Sequence, residues 1–435
     1  MSLSKLYEDK KITLENALEF IESGDEILVG GGCSEPISFL NDLHKIADNV
    51  KGVVVRKSLD MGAYPYITQE GIADKISTKS FFLGGATRAG AKLGNVTWFP
   101  SPLSYASEFM RKNAEDFKGR KVFVCAVSAM DEYGYMSSSL SAQWEIAGAE
   151  VSDIIIFEIN PNMPRVNCEG QYHISNADYV YEVNTPIPEV PPIIPTEIET
   201  TIGEYVASLV EDNSCIQLGI GGIPNATAKA FMNKKNLGIH TEMITSSMAD
   251  LFEAGVVTGK YKNIDKGKII GTFALGNKEL YKFLTDNPIV SIKDSEYVNN
   301  PVIIAQNDNV VSINTALQVD LVGQVCSESI GYKAYSGVGG AFDFAYGAKL
   351  SKGGKSIIAL PSTRKNGTIS TIKAVLDPGA TVSIPRHVVD YVVTEYGIAH
   401  LARCTTQERV EKLIAVSHPD FRDELRKQAD EMMLF

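Results

Sequence analysis

Short apolar runs alternate along the chain with stretches of helical spacing. Residues 51–56 (Lys-Gly-Val-Val-Val-Arg), 121–127 (Lys-Val-Phe-Val-Cys-Ala-Val) and 153–158 (Asp-Ile-Ile-Ile-Phe-Glu) are brief, β-branched and almost wholly apolar. That is the pattern of strands covered on both faces, as in a parallel sheet between layers of helix. Helical spacing falls between them. Residues 14–23 carry Leu14, Ala17, Leu18 and Ile21 on one face, with Thr13 placed to cap the start. The spacing also predicts helices over 248–254, 407–416 and 421–433, the first capped by Ser246 or Ser247. Alternation of this kind predicts an α/β fold.

Residues 186–195 hold five prolines in ten positions. Such a stretch continues neither a helix nor a central strand. It is expected to be an extended linker between a first α/β domain, 1–185, and a second, 196–435. The two halves echo one another. Each presents a helix pattern, a polar turn, a short strand and a Gly-rich loop ending in Pro. An offset of 189 places Ile27 on Ile216, Gly30 on Gly219 and Gly32 on Gly221. The echo predicts two similar open α/β domains with an active site in the crevice between them.

Composition narrows the classes. The 435 residues are 44% hydrophobic and 22% charged, which suits a globular chain of more than one domain. The longest uncharged run, 213–228, is interrupted by glycines and by Pro224, so no membrane span is expected. The first residues lack the apolar stretch of a signal peptide. Asp and Glu outnumber Lys and Arg, 53 to 41, which argues against a nucleic-acid partner. The six cysteines are scattered with no C-x-x-C, as expected of reduced thiols in a cytoplasmic enzyme.

Three Gly-rich loops follow expected strands, beginning at Gly30, Gly219 and Gly337. A dinucleotide fingerprint needs a third glycine where the chain has Glu35, Pro224 and Phe342, so all three fail it. The segment 347–356 resembles a P-loop only at its end, because Lys349 stands where the first glycine belongs. The loops remain candidates for aiming backbone N–H groups at a phosphate, a carboxylate or an oxyanion. A tight strand-to-helix turn is the plain alternative for each. Between 333 and 365 lie Lys333, Lys349, Lys352, Lys355, Arg364 and Lys365 against one acid, Asp343. This local excess of positive charge predicts an extended anionic ligand, against the plain reading of a solvated basic face. Among the carboxylates, Glu242 stands out at the end of an apolar run, with His240 expected on the same strand face. Glu328 and Glu395 are its rivals.

In this order, Gly219-Ile-Gly-Gly-Ile-Pro, His240-Thr-Glu-Met, Ser327-Glu-Ser-Ile-Gly, Tyr335-Ser-Gly-Val-Gly-Gly-Ala-Phe-Asp-Phe, Val392-Val-Thr-Glu-Tyr-Gly-Ile-Ala and His418-Pro-Asp-Phe-Arg resemble the acetyl-CoA hydrolase/transferase group of family I CoA-transferases. The resemblance spans nearly the whole chain. It looks nearest to the 4-hydroxybutyrate and butyryl-CoA:acetate CoA-transferases. It implies Glu242 as the nucleophile, acylated and then converted to a glutamyl-CoA thioester. It implies CoA contacts and an oxyanion hole from Gly219, Ile220, Gly221, Gly222 and Ile223 and from Ser336, Gly337, Gly339 and Gly340. Lys352 would touch CoA, and Asn299 and His240 would meet the substrate. The resemblance further implies acyl-CoA and short-chain carboxylates as partners, no tightly bound cofactor, no metal, and a homodimer. Ala341 stands where relatives often carry Gln, which bears on acyl preference. A thioesterase using water as acceptor shares every motif; a nicotinamide oxidoreductase and a non-catalytic ligand sensor are the readings from other classes.

Overall fold

The computed structural model describes residues 2–191 and 193–434, so Pro192 of the expected linker lies outside it. The chain forms two compact units, Met1–Val190 with Ile270–Val298 and Pro191–Ile269 with Asn299–Phe435. Residues 183–191 and 193–196 carry neither helix nor strand.

The first unit is built on seven strands in the order Val96–Trp98, Ile76–Ser80, Val53–Lys57, Glu26–Val29, Lys121–Val127, Ile154–Ile159 and Tyr179–Glu182. Every neighbouring pair is parallel. The three apolar runs picked out from the sequence are all here, each close to its expected bounds. From its central strand, Glu26–Val29, the chain winds out to one side and then returns to build the other. This is a doubly wound sheet whose direction reverses beside Gly30.

Within the second unit the main sheet runs Gly238–His240, Cys215–Leu218, Val310–Thr315, Lys355–Ala359, Tyr391–Thr394 and Gly397–His400. All neighbours are parallel except the last pair. Val311, Ile313, Ile357, Ile358, Val392 and Val393 are at most 1% exposed. Burying each such side chain stabilises the fold by about 1.5–3 kcal/mol, before the entropy of ordering it. The offset of 189 superposes Glu26–Val29 on Cys215–Leu218 residue for residue. Both strands are flanked by parallel neighbours on either side. The second reversal of winding falls at Leu218, so the loop starting at Gly219 sits where α/β sheets bind ligands.

One segment departs from the expected division. Residues 270–298, placed by the sequence in the second domain, belong to the first unit. Backbone hydrogen bonds hold them there: Ala142 N to Thr272 O at 2.9 Å, Ala274 N to Leu140 O at 2.8 Å, and a reciprocal pair linking Ile292 with Asn167 and Glu169. Ser107 Oγ donates to Asp294, and Tyr281 OH donates to Pro188 O.

Thr13 caps the Leu14–Glu19 helix as expected, accepting from Asn16 N at 3.2 Å. The helices expected over 407–416 and 421–433 are Thr406–Val416 and Pro419–Glu431. The helix after Glu242 is Ser246–Glu253; its cap position is Thr245 rather than either serine. Among the described residues, no helix is long and apolar enough to cross a membrane.

Candidate active site

The nucleophile candidate lies just beyond the carboxyl end of a sheet strand. Gly238–His240 pairs in parallel with Cys215–Leu218, and the chain then bends at Glu242 before Met243–Ile244. Thr241 ties this bend down, its Oγ1 donating to Leu218 O at 3.2 Å. The bend breaks the expected sharing of one strand face by His240 and Glu242. His240 is 1% exposed with its ring edge-on to Phe344, whereas Glu242 is only partly buried.

Two donors converge on the Glu242 carboxylate. Asn299 Nδ2 donates to Oε2 at 2.7 Å. The Gly340 backbone N–H donates to it as well. Gly340 also leaves the space that the carboxylate occupies: a Cβ there would lie 2.2 Å from Glu242 Oε2 and 2.3 Å from Asn299 Nδ2. Burial pushes the Glu242 carboxyl above its ordinary value, while the Asn299 and Gly340 donors pull it back down. Asn299 itself is fully buried, and among the described residues its Oδ1 has no hydrogen-bond partner.

The second Gly loop is anchored from behind. Tyr335 N and Ser336 N both donate to the main-chain carbonyl of Glu328, at 2.7 and 3.2 Å. Ser336 Oγ turns inward to Ser327 O and Gly337 O. Gly339 adopts φ +57°, a conformation that disfavours any side chain. Gly340 then opens the Ala341–Leu350 helix.

In the first Gly loop, Gly221 has φ +128° and ψ −177°, a region open essentially to glycine alone. Gly222 starts the helix Gly222–Ala230 and lies against the Glu199 carboxylate, where a Cβ would be 2.1 Å from Oε1. Gly219 is open on its Cβ side, Ile223 is buried, and Ile220 is 44% exposed. Beneath the loop, Gln217, Ser312 and Asn314 form a polar network the sequence reading missed. Ser312 Oγ donates to Gln217 Oε1 at 3.0 Å, and Asn314 Nδ2 donates to Ser312 Oγ at 2.8 Å. The signal was a lone glutamine inside the otherwise apolar strand Cys-Ile-Gln-Leu.

The structure thus gathers Glu242, Asn299, Gly339 and Gly340 at one point, with the Gly219 loop following the strand paired beside them. It does not bring Lys352 there. That residue precedes the amino end of the Lys355–Ala359 strand, the sheet edge opposite the loops, and Lys352 O accepts from Asn309 N. Its side chain is 88% exposed and 3.8 Å from Asp308. The expected basic run is likewise divided. Lys349 pairs with Asp390 at 2.5 Å and Lys355 with Glu211 at 2.9 Å, both acids distant in sequence. Of the rival carboxylates, Glu395 accepts from Ser362 N at 2.8 Å and from Ser362 Oγ at 2.6 Å, a structural engagement. Glu328 serves the loop through its backbone. Among the described residues, no cluster of three or more His, Cys, Asp or Glu side chains is placed to hold a metal ion.

Family models for the acetyl-CoA hydrolase/transferase N-terminal and C-terminal domains match residues 1–192 and 276–429. The chain is 42% identical over 432 residues to a 4-hydroxybutyrate coenzyme A transferase of Clostridium kluyveri, covering 98% of this chain and 99% of that protein. The chain belongs to the acetyl-CoA hydrolase/transferase family. A second member, succinyl-CoA:cyclohexane-1-carboxylate CoA transferase of Geobacter metallireducens, is 39% identical over 433 residues, 99% of this chain and 97% of the relative. The family fold is found in the crystal structure of RipA from Yersinia pestis, with TM-score 0.94, 36% identity and full coverage of both chains.

Removing Asn299 gives a directional test within this family site. Asn299→Ala deletes a hydrogen bond that favours the ionised form of Glu242, so the carboxyl pKa rises. The ionised Glu242 carboxylate is then available only at higher pH. The acidic limb of kcat/KM against pH is expected to move upward, and an unmoved limb would show that Asn299 does not tune Glu242.

Proposed function

We propose that this enzyme moves coenzyme A between a short-chain acyl-CoA, 4-hydroxybutyryl-CoA or butyryl-CoA, and acetate, with Glu242 as the nucleophile. The observation that carries the reading is the Glu242 carboxylate held by Asn299 and Gly340 at the end of a sheet strand. The C. kluyveri relative, named for 4-hydroxybutyrate, supports the acyl group.

A Glu242 oxygen attacks the thioester carbonyl, a C–O bond forms, the C–S bond breaks and CoA leaves as thiolate. The product is a mixed anhydride of the acyl group and Glu242. The thiolate then attacks the Glu242 carbonyl carbon, releasing the carboxylate and leaving a glutamyl-CoA thioester. A second carboxylate enters and the two steps run in reverse. This is covalent catalysis with ping-pong kinetics. Each tetrahedral intermediate carries an oxyanion. The backbone N–H groups of Gly339, Gly340 and the Gly219–Ile223 loop are the donors suited to it, and loss of one such donor raises a barrier by roughly 3–4 kcal/mol. Binding energy from the long CoA arm is available at the reacting centre.

The family description includes hydrolases, so water is the alternative acceptor. It is separated from transfer by measuring CoA release with and without an added carboxylate. The homodimer implied by the family resemblance is open to light scattering on the purified protein.

Borohydride tests the covalent step. Incubation with acetyl-CoA and then borohydride is expected to reduce the glutamyl thioester to an alcohol, inactivate the protein and alter the mass of the peptide containing Glu242. Full inactivation with that peptide unaltered would remove Glu242 from the reaction.

A further inference from the structure

The two donors to the Glu242 carboxylate each begin a stretch of the second unit, and the two stretches run side by side. They start together where Asn299 and Gly340 meet Glu242. Farther along, Ile304 lies against Gly347. Beyond that, Ser351 Oγ donates to Asn307 O at 2.6 Å, and Asn309 N donates to Lys352 O at 2.8 Å. Residues 299–309 and 340–352 thus keep pace over their whole length.

The second stretch is mainly the helix Ala341–Leu350, entered at Gly340, whose carbonyl accepts from Phe344 N at 2.9 Å. Phe344 and Gly347 share one face of that helix by their spacing. Phe344 is buried edge-on to the His240 ring, just before the bend at Glu242. Gly347 faces Ile304, a fully buried residue that ends the short helix Pro301–Ile304.

Glycine is a poor choice for a helix interior. Gly347 is not among the glycines of positive φ, so its backbone does not call for one. What calls for it is space. A Cβ at Gly347 would lie 2.6 Å from Ile304 Cγ2, 2.7 Å from Ile304 Cβ and 3.2 Å from Ile304 Cδ1. Carbon atoms in contact stand about 3.5–4.0 Å apart, so a methyl group there drives the two stretches apart by roughly 1 Å. Gly347 lies roughly 10 Å along the helix from Gly340, at about 1.5 Å per residue. A hydrogen-bonded helix of this length carries a displacement from one end to the other.

We infer that the Gly347–Ile304 contact sets the spacing between Asn299 and Gly340, which makes Gly347 a positioning residue for Glu242. This rests on the reading of Glu242 as the nucleophile. Close approach of the two stretches brings the Asn299 amide and the Gly340 N–H to one carboxylate. A wider spacing leaves that carboxylate short of a donor. Loss of a donor to the charged form favours the protonated carboxyl.

The test is a pair of substitutions and their combination, read by kcat/KM against pH. Shared between the two stretches, the displacement in Gly347→Ala is roughly half an ångström at each. A misplacement of about 1 Å costs about 10²-fold, so kcat/KM is expected to fall about tenfold. The acidic limb is expected to move upward in pH, the direction given for Asn299→Ala. Ile304→Ala empties the seat, loosens the same spacing and is expected to move the limb upward as well. In the double variant the new methyl group refills part of that space, so the limb is expected to return toward its wild-type position, because changes at touching residues do not add. Where Gly347→Ala alone folds poorly, Ile304→Ala against the double variant carries the test. A lower melting temperature in Gly347→Ala with the limb unmoved would leave the glycine a packing role only and overturn the inference. A limb in the double variant displaced as far as in Ile304→Ala, or farther, overturns it too. Native transfer by Glu242→Ala would instead refute the nucleophile reading, and this role with it.

Discussion

Glu242→Ala is expected to lower transfer from acetyl-CoA to a carboxylate by roughly 10⁴-fold or more, the scale on which deletion of a nucleophile acts. Glu242→Gln sharpens the result. Its amide oxygen is placed to accept from Asn299 Nδ2, the donor to the native Oε2. Side-chain volume and that hydrogen bond are thus kept while the negative charge is lost. Equal inactivity of both variants would assign the effect to nucleophilicity rather than to architecture. Steady-state turnover with acetyl-CoA and butyrate measures both. Near-normal activity in Glu242→Ala would move the nucleophile to Glu328, because both oxygens of Glu395 are already engaged by Ser362.

Gly340→Ala is expected to lower kcat by about 10²-fold or more while leaving the fold nearly intact. The backbone at Gly340, φ −109° and ψ 8°, accepts an alanine. The difficulty is room. The new methyl group would stand 2.2 Å from Glu242 Oε2 and 2.3 Å from Asn299 Nδ2, so both side chains must withdraw. Each is the free end of a side chain, so the overpacking costs about 1–3 kcal/mol in stability at most. The nucleophile, however, is displaced from the position where it reacts, and a shift of about 1 Å costs about 10²-fold. Gly339→Ala offers the contrasting case. Its Cβ would lie 4.0 Å from Glu242 Oε1, but φ is +57°, which costs roughly 1–2 kcal/mol for a residue with a side chain. Thermal melts and kcat measured together separate the two: Gly339→Ala falls mainly in melting temperature and Gly340→Ala mainly in rate. A Gly340→Ala enzyme with native kcat would show that the Glu242–Asn299 geometry is not required.

Much of this was legible in the chain itself. The buried strands announced themselves as β-branched runs because strands covered on both faces have no polar alternation to hide them. The offset echo located two central strands to the residue, since each is followed by a loop in which glycine is hard to replace. Asn299 was reached only through family resemblance, whereas Gly340 lay in a loop that its glycines had already picked out. Nothing in the spacing of 242, 299 and 340 signals that the three meet. The basic run was misleading for a geometric reason. A helix of ten residues spans about 15 Å, so the Ala341–Leu350 helix carries Lys349 from the loop side of the sheet to the opposite edge. Proximity in sequence became separation in space, and Asp390, Glu211 and Asp308 arrived from distant segments beside three of the lysines. The placement of 270–298 in the first unit was invisible because many of its partners are main-chain groups, which any sequence supplies, and the Ser107–Asp294 pair joins residues 187 apart.

That placement has a consequence for engineering. The polypeptide passes from one compact unit to the other three times, after Val190, Ile269 and Val298. Asn299 is the first residue after the last passage. Hybrids spliced from two relatives at the proline segment alone would mix parents inside a single hydrophobic interior. Grafting that respects the architecture needs three junctions, and the third falls beside the asparagine that grips the Glu242 carboxylate.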